Sequence, residues 1–192
     1  MTDIVGGKPL TRAYSVCSAP DGNRFELCLN EVNEGAFSPH LFGLRRGDEV
    51  PLEGPMGSFT LRDPVDDSML VATGTGIAPF RSMLHDSRTL ASGRGFTLVL
   101  GARFEHGLLY RDEFEAMEAA HANFRFVPVL SRPGPSWRGR TGRVQPHAME
   151  LLGERRDIDV YICGLKEMVN QMRRMLREAG FEKRRVIYEK YD

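Results

Sequence analysis

Four residues near the start of the chain have the types and the spacing of a cofactor-holding strand. An arginine can clamp a phosphate, a tyrosine ring can lie against a flat aromatic group, and serine hydroxyls can hydrogen-bond the polar edge of such a group. The four are Arg12, Tyr14, Ser15 and Ser18. Taken alone, the pattern R-x-Y-S also fits an ordinary surface strand, so it needs support from elsewhere in the chain.

A glycine-rich turn supplies a second group of candidate binding residues. It follows a short apolar run and opens an amphipathic segment, so its backbone amides and the helix N-terminus could meet a pyrophosphate. Pro79 fits the first helical turn, where its missing N–H has no cost. The third glycine of the common dinucleotide fingerprint is absent, so an ordinary strand–helix turn stays an alternative. The turn itself is Thr73-Gly74-Thr75-Gly76.

Cations and a cysteine lie at the ends of later apolar runs. Ser131-Arg132 directly follows the third run, and Arg140 lies in the arginine-rich loop after it. Arginine suits a 2′-phosphate through bidentate contacts, whereas Arg138 and Arg143 are interpreted as solvated loop residues. Cys163-Gly164 ends the fourth run. The cysteine could be a small core residue or lie beside a reacting ring, and both interpretations stay open.

The hydrophobic pattern divides the chain into two parts that must position these groups. The first part predicts β structure, with strands at 24–30, 49–54 and 58–62 and one brief helix from Ser38. The second part predicts buried strands at 69–73, 96–100, 124–130, 158–163 and 185–189. Amphipathic segments at 80–90, 111–122 and 166–179 separate them. This alternation predicts a doubly wound parallel sheet that is covered on both faces.

Composition excludes several classes of function. Lys+Arg and Asp+Glu each number 26 in 192 residues, so bulk charge favours neither nucleic acid nor a membrane as partner. The three cysteines form no C-x-x-C pair, which argues against a zinc or iron–sulfur site and against a disulfide framework. No apolar run is long enough to span a bilayer. We therefore expect a cytoplasmic protein without a metal site.

The order of the motifs resembles the ferredoxin–NADP reductase family of flavoprotein reductases. The segment 12–18 is similar to the family's flavin motif, and 73–79 is similar to its pyridine-nucleotide motif. Further similarities continue in the same order along the chain: Gly35-x-x-Ser38, Gly54-Pro55-x-Gly57-x-Phe59, Gly101-x-Arg103, Leu109-Tyr110-x-x-Glu113, Cys163-Gly164 and 187–191.

The resemblance implies a fold and a role for each matching residue. It implies an α/β plus β protein, in which a partial antiparallel FAD-binding barrel (1–66) precedes a doubly wound parallel-sheet NAD(P)-binding domain (67–192). The catalytic candidates are Ser15, Cys163 and Glu189. The cofactor-binding candidates are Arg12, Tyr14, Ser15, Ser18, Gly35, Ser38, Thr73, Gly74, Thr75, Gly76, Pro79, Arg103, Ser131, Arg132, Arg140, Cys163, Gly164 and Tyr191.

The implied activity is hydride transfer from nicotinamide C4 to flavin N5. The electrons would then pass to an external carrier such as ferredoxin, flavodoxin or an oxygenase component. FAD is expected, with FMN as the alternative. NADPH is expected because Ser131-Arg132 suits a 2′-phosphate, although Trp137-x-Gly139-x-x-Gly142-x-Val144 also resembles NADH-using relatives. The competing hypothesis is a nucleotide-binding, flavin-poor regulatory or electron-transfer subunit of a larger complex.

The N-terminal part departs from the family pattern. Several barrel strands normally precede the flavin motif, but only eleven residues precede Arg12. Three accounts stay open: a fragment or mis-assigned start, a short protein whose barrel is completed by a second subunit or by dimerisation, and a nucleotide-binding module without stable flavin.

Overall fold

The computed structural model describes residues 1–32 and 35–191. Strands β1 (Thr2–Val5) and β2 (Lys8–Thr11) form an antiparallel hairpin, with Asp3 opposite Leu10. Helix α1 (Phe37–Gly43) begins one residue before Ser38, close to where the sequence predicts a brief helix. The N-terminal part therefore contains a small antiparallel sheet and one short helix.

The strands predicted at 24–30, 49–54 and 58–62 are wrong. Isolated antiparallel bridges join Val16 to Leu27 and Asp21 to Arg24, but no ladder extends from them. The expected alternation in burial is also missing, since residues 21–26 are all exposed. Pro51 lies within the second stretch, and proline has no N–H to donate to a ladder. These segments therefore run as irregular loops.

A parallel sheet forms the second part of the molecule, as the sequence predicts, but it has six strands where the sequence predicts five. Its spatial order is β6-β5-β4-β3-β7-β8. The strands are β3 (Ser68–Thr73), β4 (Phe96–Ala102), β5 (Phe124–Leu130), β6 (Arg140–Thr141), β7 (Asp159–Leu165) and β8 (Val186–Tyr191).

Helices pack on both faces of this sheet. They are α2 (Ala78–His85), α3 (Ser87–Ala91), α4 (Arg111–Ala120), α5 (Val144–Leu152) and α6 (Lys166–Glu178). The structure differs from the sequence-based predictions in three short elements. The predicted helix at 80–90 is broken at Asp86, and both the two-residue strand β6 and the nine-residue helix α5 were missed.

Two apolar clusters lie on opposite faces of the sheet. One packs α5 and α6 against the side chains of Val71 and Ile162, and the other packs α2 and α4 against Leu70 and Tyr161. The alternation along each strand sends successive side chains into different clusters, which explains why the strands read as continuous apolar runs.

The N-terminal part packs against the second cluster. The Phe59 ring lies 5.8 Å from the Phe80 ring and 6.2 Å from the Tyr161 ring, centroid to centroid. The Arg62 amide donates to the Tyr161 hydroxyl at 3.0 Å. These contacts join the loop around residue 60 to β7 and α2.

Candidate functional site

The carboxyl ends of three neighbouring strands meet at one edge of the sheet. The register places Ala72 of β3 opposite Cys163 of β7, and Cys163 opposite Glu189 of β8. A 3-10 turn (Gly74–Ile77) follows β3 directly and leads into α2, where Pro79 is the second residue. In open α/β sheets this edge, at the carboxyl ends of the strands, is where ligands bind.

Two glycines allow β7 to approach β3 and the turn after it closely at this edge. A Cβ atom on Gly76 would lie 2.4 Å from the carbonyl oxygen of Cys163, and one on Gly164 would lie 2.4 Å from the Thr73 hydroxyl oxygen. The Thr73 Oγ1 atom is buried without a hydrogen-bond partner. A buried polar atom without a partner is costly, so a ligand group that reached it would restore a hydrogen bond.

A chain of hydrogen bonds connects the first motif to the end of β8. The Tyr191 hydroxyl donates to Ser15 Oγ at 2.8 Å, and Ser15 Oγ donates to Glu189 Oε1 at 2.8 Å. These residues are 174 or more positions apart in the sequence. The structure therefore brings together two of the three catalytic candidates, Ser15 and Glu189, with Tyr191 as the donor at the end of the chain.

The third catalytic candidate, Cys163, lies beside the same chain. Burial raises the pKa of the Cys163 thiol to about 12, partly opposed by a hydrogen bond with Tyr191. Burial also raises the pKa of Tyr191 above its ordinary value. Both groups are therefore protonated at neutral pH, and Cys163 is a neutral thiol with no thiolate nucleophile to offer.

The two predicted flavin segments lie side by side. The Tyr14 ring stacks on the Phe37 ring at the start of α1, with centroids 6.3 Å apart. Two of the predicted hydroxyl groups already have backbone partners. Ser38 Oγ accepts from the Val32 amide at 2.9 Å, and Ser18 Oγ accepts from the Glu26 amide at 3.0 Å.

The remaining residues of these segments are placed as follows. Gly35 lies against the same loop, where an added Cβ would be 3.0 Å from the Val32 carbonyl oxygen. The Arg12 guanidinium is exposed and donates to the Thr11 carbonyl at 2.8 Å. Such a weakly held arginine can turn toward a phosphate at little cost.

The predicted 2′-phosphate residues divide into two groups. The Arg132 amide donates to the Arg103 carbonyl at 2.8 Å, and the Ser131 amide donates to the Ala102 carbonyl at 3.0 Å. The ends of β4 and β5 therefore bring Arg103, Ser131 and Arg132 together, all exposed. Arg140 differs, because its guanidinium makes a bidentate pair with Glu150 at 2.6 and 2.8 Å.

Sequence reasoning did not single out Arg81, which bonds to both parts of the molecule. Arg81 of α2 forms a bidentate ion pair with Glu113 and also contacts the Cys17 carbonyl. Tyr110 lies beneath it, with its ring centroid 4.5 Å from the guanidinium carbon. A cation in the apolar pattern just after Pro79 was the available signal, because a largely buried arginine requires partners.

Two further properties of the described residues bear on the kind of site. No group of three or more His, Cys, Asp or Glu side chains in residues 1–32 and 35–191 could hold a metal ion. Within the same part of the chain, every helix is too short or too polar to cross a bilayer. All three cysteines are free thiols.

Comparison with protein-family models identifies two matching domains. The oxidoreductase FAD-binding domain matches residues 1–61, and the oxidoreductase NAD-binding domain matches residues 70–174. The first match covers the R-x-Y-S motif, and the second covers the glycine-rich turn and the ends of β4, β5 and β7.

Individual relatives match almost the whole chain. Ferredoxin–NADP reductase B of Sorangium cellulosum is 43% identical over 97% of this chain and 80% of its own length. The toluate 1,2-dioxygenase electron transfer component of Pseudomonas putida is 30% identical, over 97% of this chain and 56% of its own length. The chain thus spans four fifths of the first relative and little more than half of the second.

A solved structure shares the fold. The ferredoxin NADP⁺ reductase of Neisseria gonorrhoeae with bound FAD and NADP superposes with a TM-score of 0.84 and 25% sequence identity. The match covers 98% of this chain and 83% of that one.

Proposed function

Because the chain belongs to the ferredoxin–NADP reductase family of flavin-dependent oxidoreductases, we propose that it oxidises NADPH and passes the electrons to an external carrier. The observation that carries the proposal is the Tyr191–Ser15–Glu189 hydrogen-bond chain. It joins the R-x-Y-S motif to the sheet edge that holds the glycine-rich turn. A site for a flavin and a site for a nicotinamide would thereby lie next to each other.

The residues at this edge fit the two implied cofactors. The close approach at Gly76 and Gly164 and the buried Thr73 hydroxyl suit a flat amide-bearing ring such as nicotinamide. The Tyr14 ring and the Ser15 hydroxyl suit the face and the polar edge of an isoalloxazine. When bound, FAD would accept a hydride from NADPH and release electrons one or two at a time.

The chain's own residues would orient the two rings and control protons between them. Tyr191 and Ser15 each donate a hydrogen bond in one direction, and the Glu189 carboxylate is the final acceptor. Ser15 is therefore placed to hold a proton close to the reacting atoms, and Glu189 to receive it. Cys163, as a neutral buried thiol, would pack against the nicotinamide.

The binding of phosphates falls to residues at the periphery. Arg12 and the backbone amides at the start of α1, around Gly35 and Ser38, would meet the flavin diphosphate. The turn at 74–76 and the first turn of α2 would meet the nicotinamide diphosphate. Arg103, Ser131 and Arg132 would hold the 2′-phosphate, and Arg140 would join them only after leaving Glu150.

The wider setting follows from the same activity. We assign residues 1–66 to the FAD-binding domain and residues 67–192 to the NAD(P)-binding domain. The acceptor would be a separate carrier such as ferredoxin, flavodoxin or an oxygenase component. A cytoplasmic location fits the free thiols, and a second subunit could complete the small N-terminal sheet.

The test is a spectrum of the purified protein. It should be yellow, or become yellow on incubation with FAD, and it should bleach when NADPH is added without oxygen. Ferricyanide or a dye should then be reduced with turnover. A protein that binds NADPH by calorimetry but takes up neither FAD nor FMN would overturn the proposal in favour of a flavin-poor subunit.

Coenzyme choice has its own test in Arg132→Ala. Loss of a charge-assisted contact with the 2′-phosphate should raise KM for NADPH by about 10-fold and leave KM for NADH unchanged. Arg88→Ala is the matched control, because Arg88 is an exposed arginine in α3 that pairs with Asp86. An unchanged ratio of the two KM values in Arg132→Ala would show that Arg132 does not read the 2′-phosphate.

A further inference from the structure

One group of side chains links the R-x-Y-S segment to the helix that follows the glycine-rich turn. We call it the Arg81 brace and define it as Arg81, Glu113, Tyr110, Cys17 and Glu26. Arg81 and Glu113 belong to α2 and α4, whereas Cys17 and Glu26 belong to the N-terminal part. The brace is outside the catalytic chain described above, and the proposed function assigns it no role.

Arg81 is bonded on every side of its guanidinium group. Its Nε and Nη2 atoms donate to the two oxygens of Glu113 at 2.7 and 3.0 Å. Its Nη1 atom donates across to the Cys17 carbonyl at 2.9 Å and to Glu26 at 2.8 Å. The Arg81 side chain is only 14% exposed. The fork on Glu113 fixes the plane of the guanidinium, and so it fixes where Nη1 points.

Cys17 receives this contact two residues after Ser15. It is fully buried, its amide donates to the Glu26 carbonyl at 2.9 Å, and its sulfur lies 3.7 Å from the Tyr110 hydroxyl. The short segment from Ser15 to Cys17 is therefore held at two points. At Ser15 it is held by the hydrogen bonds to Glu189 and Tyr191, and at Cys17 it is held by the Arg81 brace.

Tyr110 has a backbone conformation that supports the same contact. It is the N-cap of α4 and has a φ of 57°, in the left-handed region that residues other than glycine rarely adopt. This conformation puts its ring beneath Arg81 and its hydroxyl beside Cys17. Such an unfavourable conformation persists where the surrounding contacts hold it in place.

We propose that Arg81 is a positioning residue that sets the distance between Ser15 and the nucleotide turn. This inference rests on the proposed function and adds a device for aligning its two sites. Arg81 lies on the first helix after the turn, two residues beyond Pro79, so its bond to Cys17 ties one site to the other. Hydride transfer is sensitive to such alignment, because a misplacement of about 1 Å can lower a rate by about 100-fold.

The experiment compares Arg81→Gln with Arg81→Lys in the full chain, and uses Arg88→Gln as the control. Arg88 is an exposed arginine in α3 that pairs with Asp86. In Arg81→Gln, kcat for NADPH-dependent dye reduction should fall by about 10- to 100-fold, with less than about a 3-fold change in KM. Arg81→Lys keeps the charge but loses the fork, so it should recover only part of kcat.

A second readout does not depend on flavin chemistry. Hydrogen exchange of the protein without cofactors should show loss of protection at the Cys17 amide in Arg81→Gln, by about 10-fold or more, while β3 and β4 stay protected. Arg88→Gln should match the unsubstituted protein in both measurements. The proposal is overturned if Cys17 keeps its protection, or if protection falls equally throughout the sheet, which would mean a purely structural role.

The two failures can be told apart. If the protein shows no NADPH oxidation at all, the proposed function fails, while the exchange measurement still decides whether Arg81 holds the Cys17 segment. If the unsubstituted protein oxidises NADPH but Arg81→Gln leaves kcat unchanged, the positioning role fails and the proposed function stands. Should Arg81→Gln not fold, Arg81→Lys and Glu26→Gln carry the same comparison with smaller perturbations.

Discussion

At the scale of single residues, a short chain of hydrogen bonds joins the R-x-Y-S motif to the carboxyl end of β8. The Tyr191, Ser15 and Glu189 side chains share two hydrogen bonds of 2.8 Å, and each donor has one acceptor. Cys163, which the sequence left open between a core and a reactive role, lies beside them as a protonated thiol because burial raises its pKa to about 12.

Replacing Ser15 tests this hydrogen-bond chain. Ser15→Ala removes the oxygen that joins Tyr191 to Glu189, so we expect kcat of the flavin-loaded protein to fall by about 100-fold with little change in KM. Steady-state kinetics with NADPH and ferricyanide measure both values. Ser87→Ala, at an exposed position at the start of α3, should behave like the unsubstituted protein. A kcat for Ser15→Ala within about twofold of the unsubstituted value would contradict the role.

Gly76 tests the close approach of β7 to the turn that follows β3. A methyl group there would lie 2.4 Å from the carbonyl oxygen of Cys163, which cannot move without separating β7 from the turn. Gly76→Ala should lower the free energy of unfolding by about 1–3 kcal/mol and weaken NADPH binding. Urea denaturation and calorimetry measure these effects. Gly134→Ala is the matched control, since its new methyl group would meet nothing within 4 Å.

At the scale of elements, the sequence predicted most of the parallel sheet and the short helix α1, and it missed β6 and α5. The strand β5 was predicted with both ends correct, and the strands at 69–73 and 96–100 were confirmed to within two residues. The two-residue β6 has too few side chains to form a pattern, and α5 carries a proline in its first turn. The strand predictions in the N-terminal part were wrong. Alternation of polar and apolar residues shows that one face of a strand could be buried, but it does not supply a neighbouring strand to pair with.

The break between α2 and α3 offers a test of an element boundary. Asp86 caps α3 by accepting from the Arg88 amide at 3.0 Å, and its pKa is lowered to about 2, chiefly by hydrogen bonds from the Arg88 side chain. Asp86→Ala should lower the free energy of unfolding by about 1 kcal/mol at pH 7. Asp86→Asn keeps a capping oxygen and should lower the free energy of unfolding by less than Asp86→Ala does.

The pH dependence of this effect has a definite sign. A carboxyl group with a lowered pKa in the folded state stabilises that state above its ordinary value of 3.8 and loses the effect as pH falls through about 2. The difference between Asp86→Ala and the unsubstituted protein should therefore shrink between pH 4 and pH 2 in thermal unfolding curves. A difference that stayed constant down to pH 2 would mean that ionisation of Asp86 contributes nothing.

At the scale of the whole molecule, the two parts are joined at opposite ends of the sheet. The Arg81 brace lies at the carboxyl ends of the strands, and a charged cluster lies at the other end. There the side chain of Asp159, only 2% exposed, pairs with Arg62 at 3.3 Å and with Arg185 at 3.0 Å. Arg62 comes from the N-terminal part and Arg185 directly precedes β8, so one buried carboxylate holds both.

Replacing both arginines should destabilise the protein more than replacing Asp159. The double change Arg62→Met and Arg185→Met leaves Asp159 charged, buried and unpaired, and should cost about 3–5 kcal/mol of unfolding free energy. Asp159→Asn should cost less, because the two arginines keep access to water. Urea denaturation followed by the fluorescence of the single tryptophan, Trp137, measures both. If Asp159→Asn destabilised the protein more than the double change, the unpaired buried carboxylate would not be the source of the cost.

The sequence alone determined the family motifs and the parallel sheet, and it named several of the residues that lie at the carboxyl ends of the strands. Those properties depend on local spacing and on runs of apolar side chains, which are visible along the chain. Only the tertiary structure decided that Ser15 meets Glu189 and Tyr191, that Arg140 is held by Glu150, and that Arg81 reaches Cys17. These contacts join residues far apart in the sequence or side chains of opposite charge. No local sequence pattern specifies which partners the fold brings together.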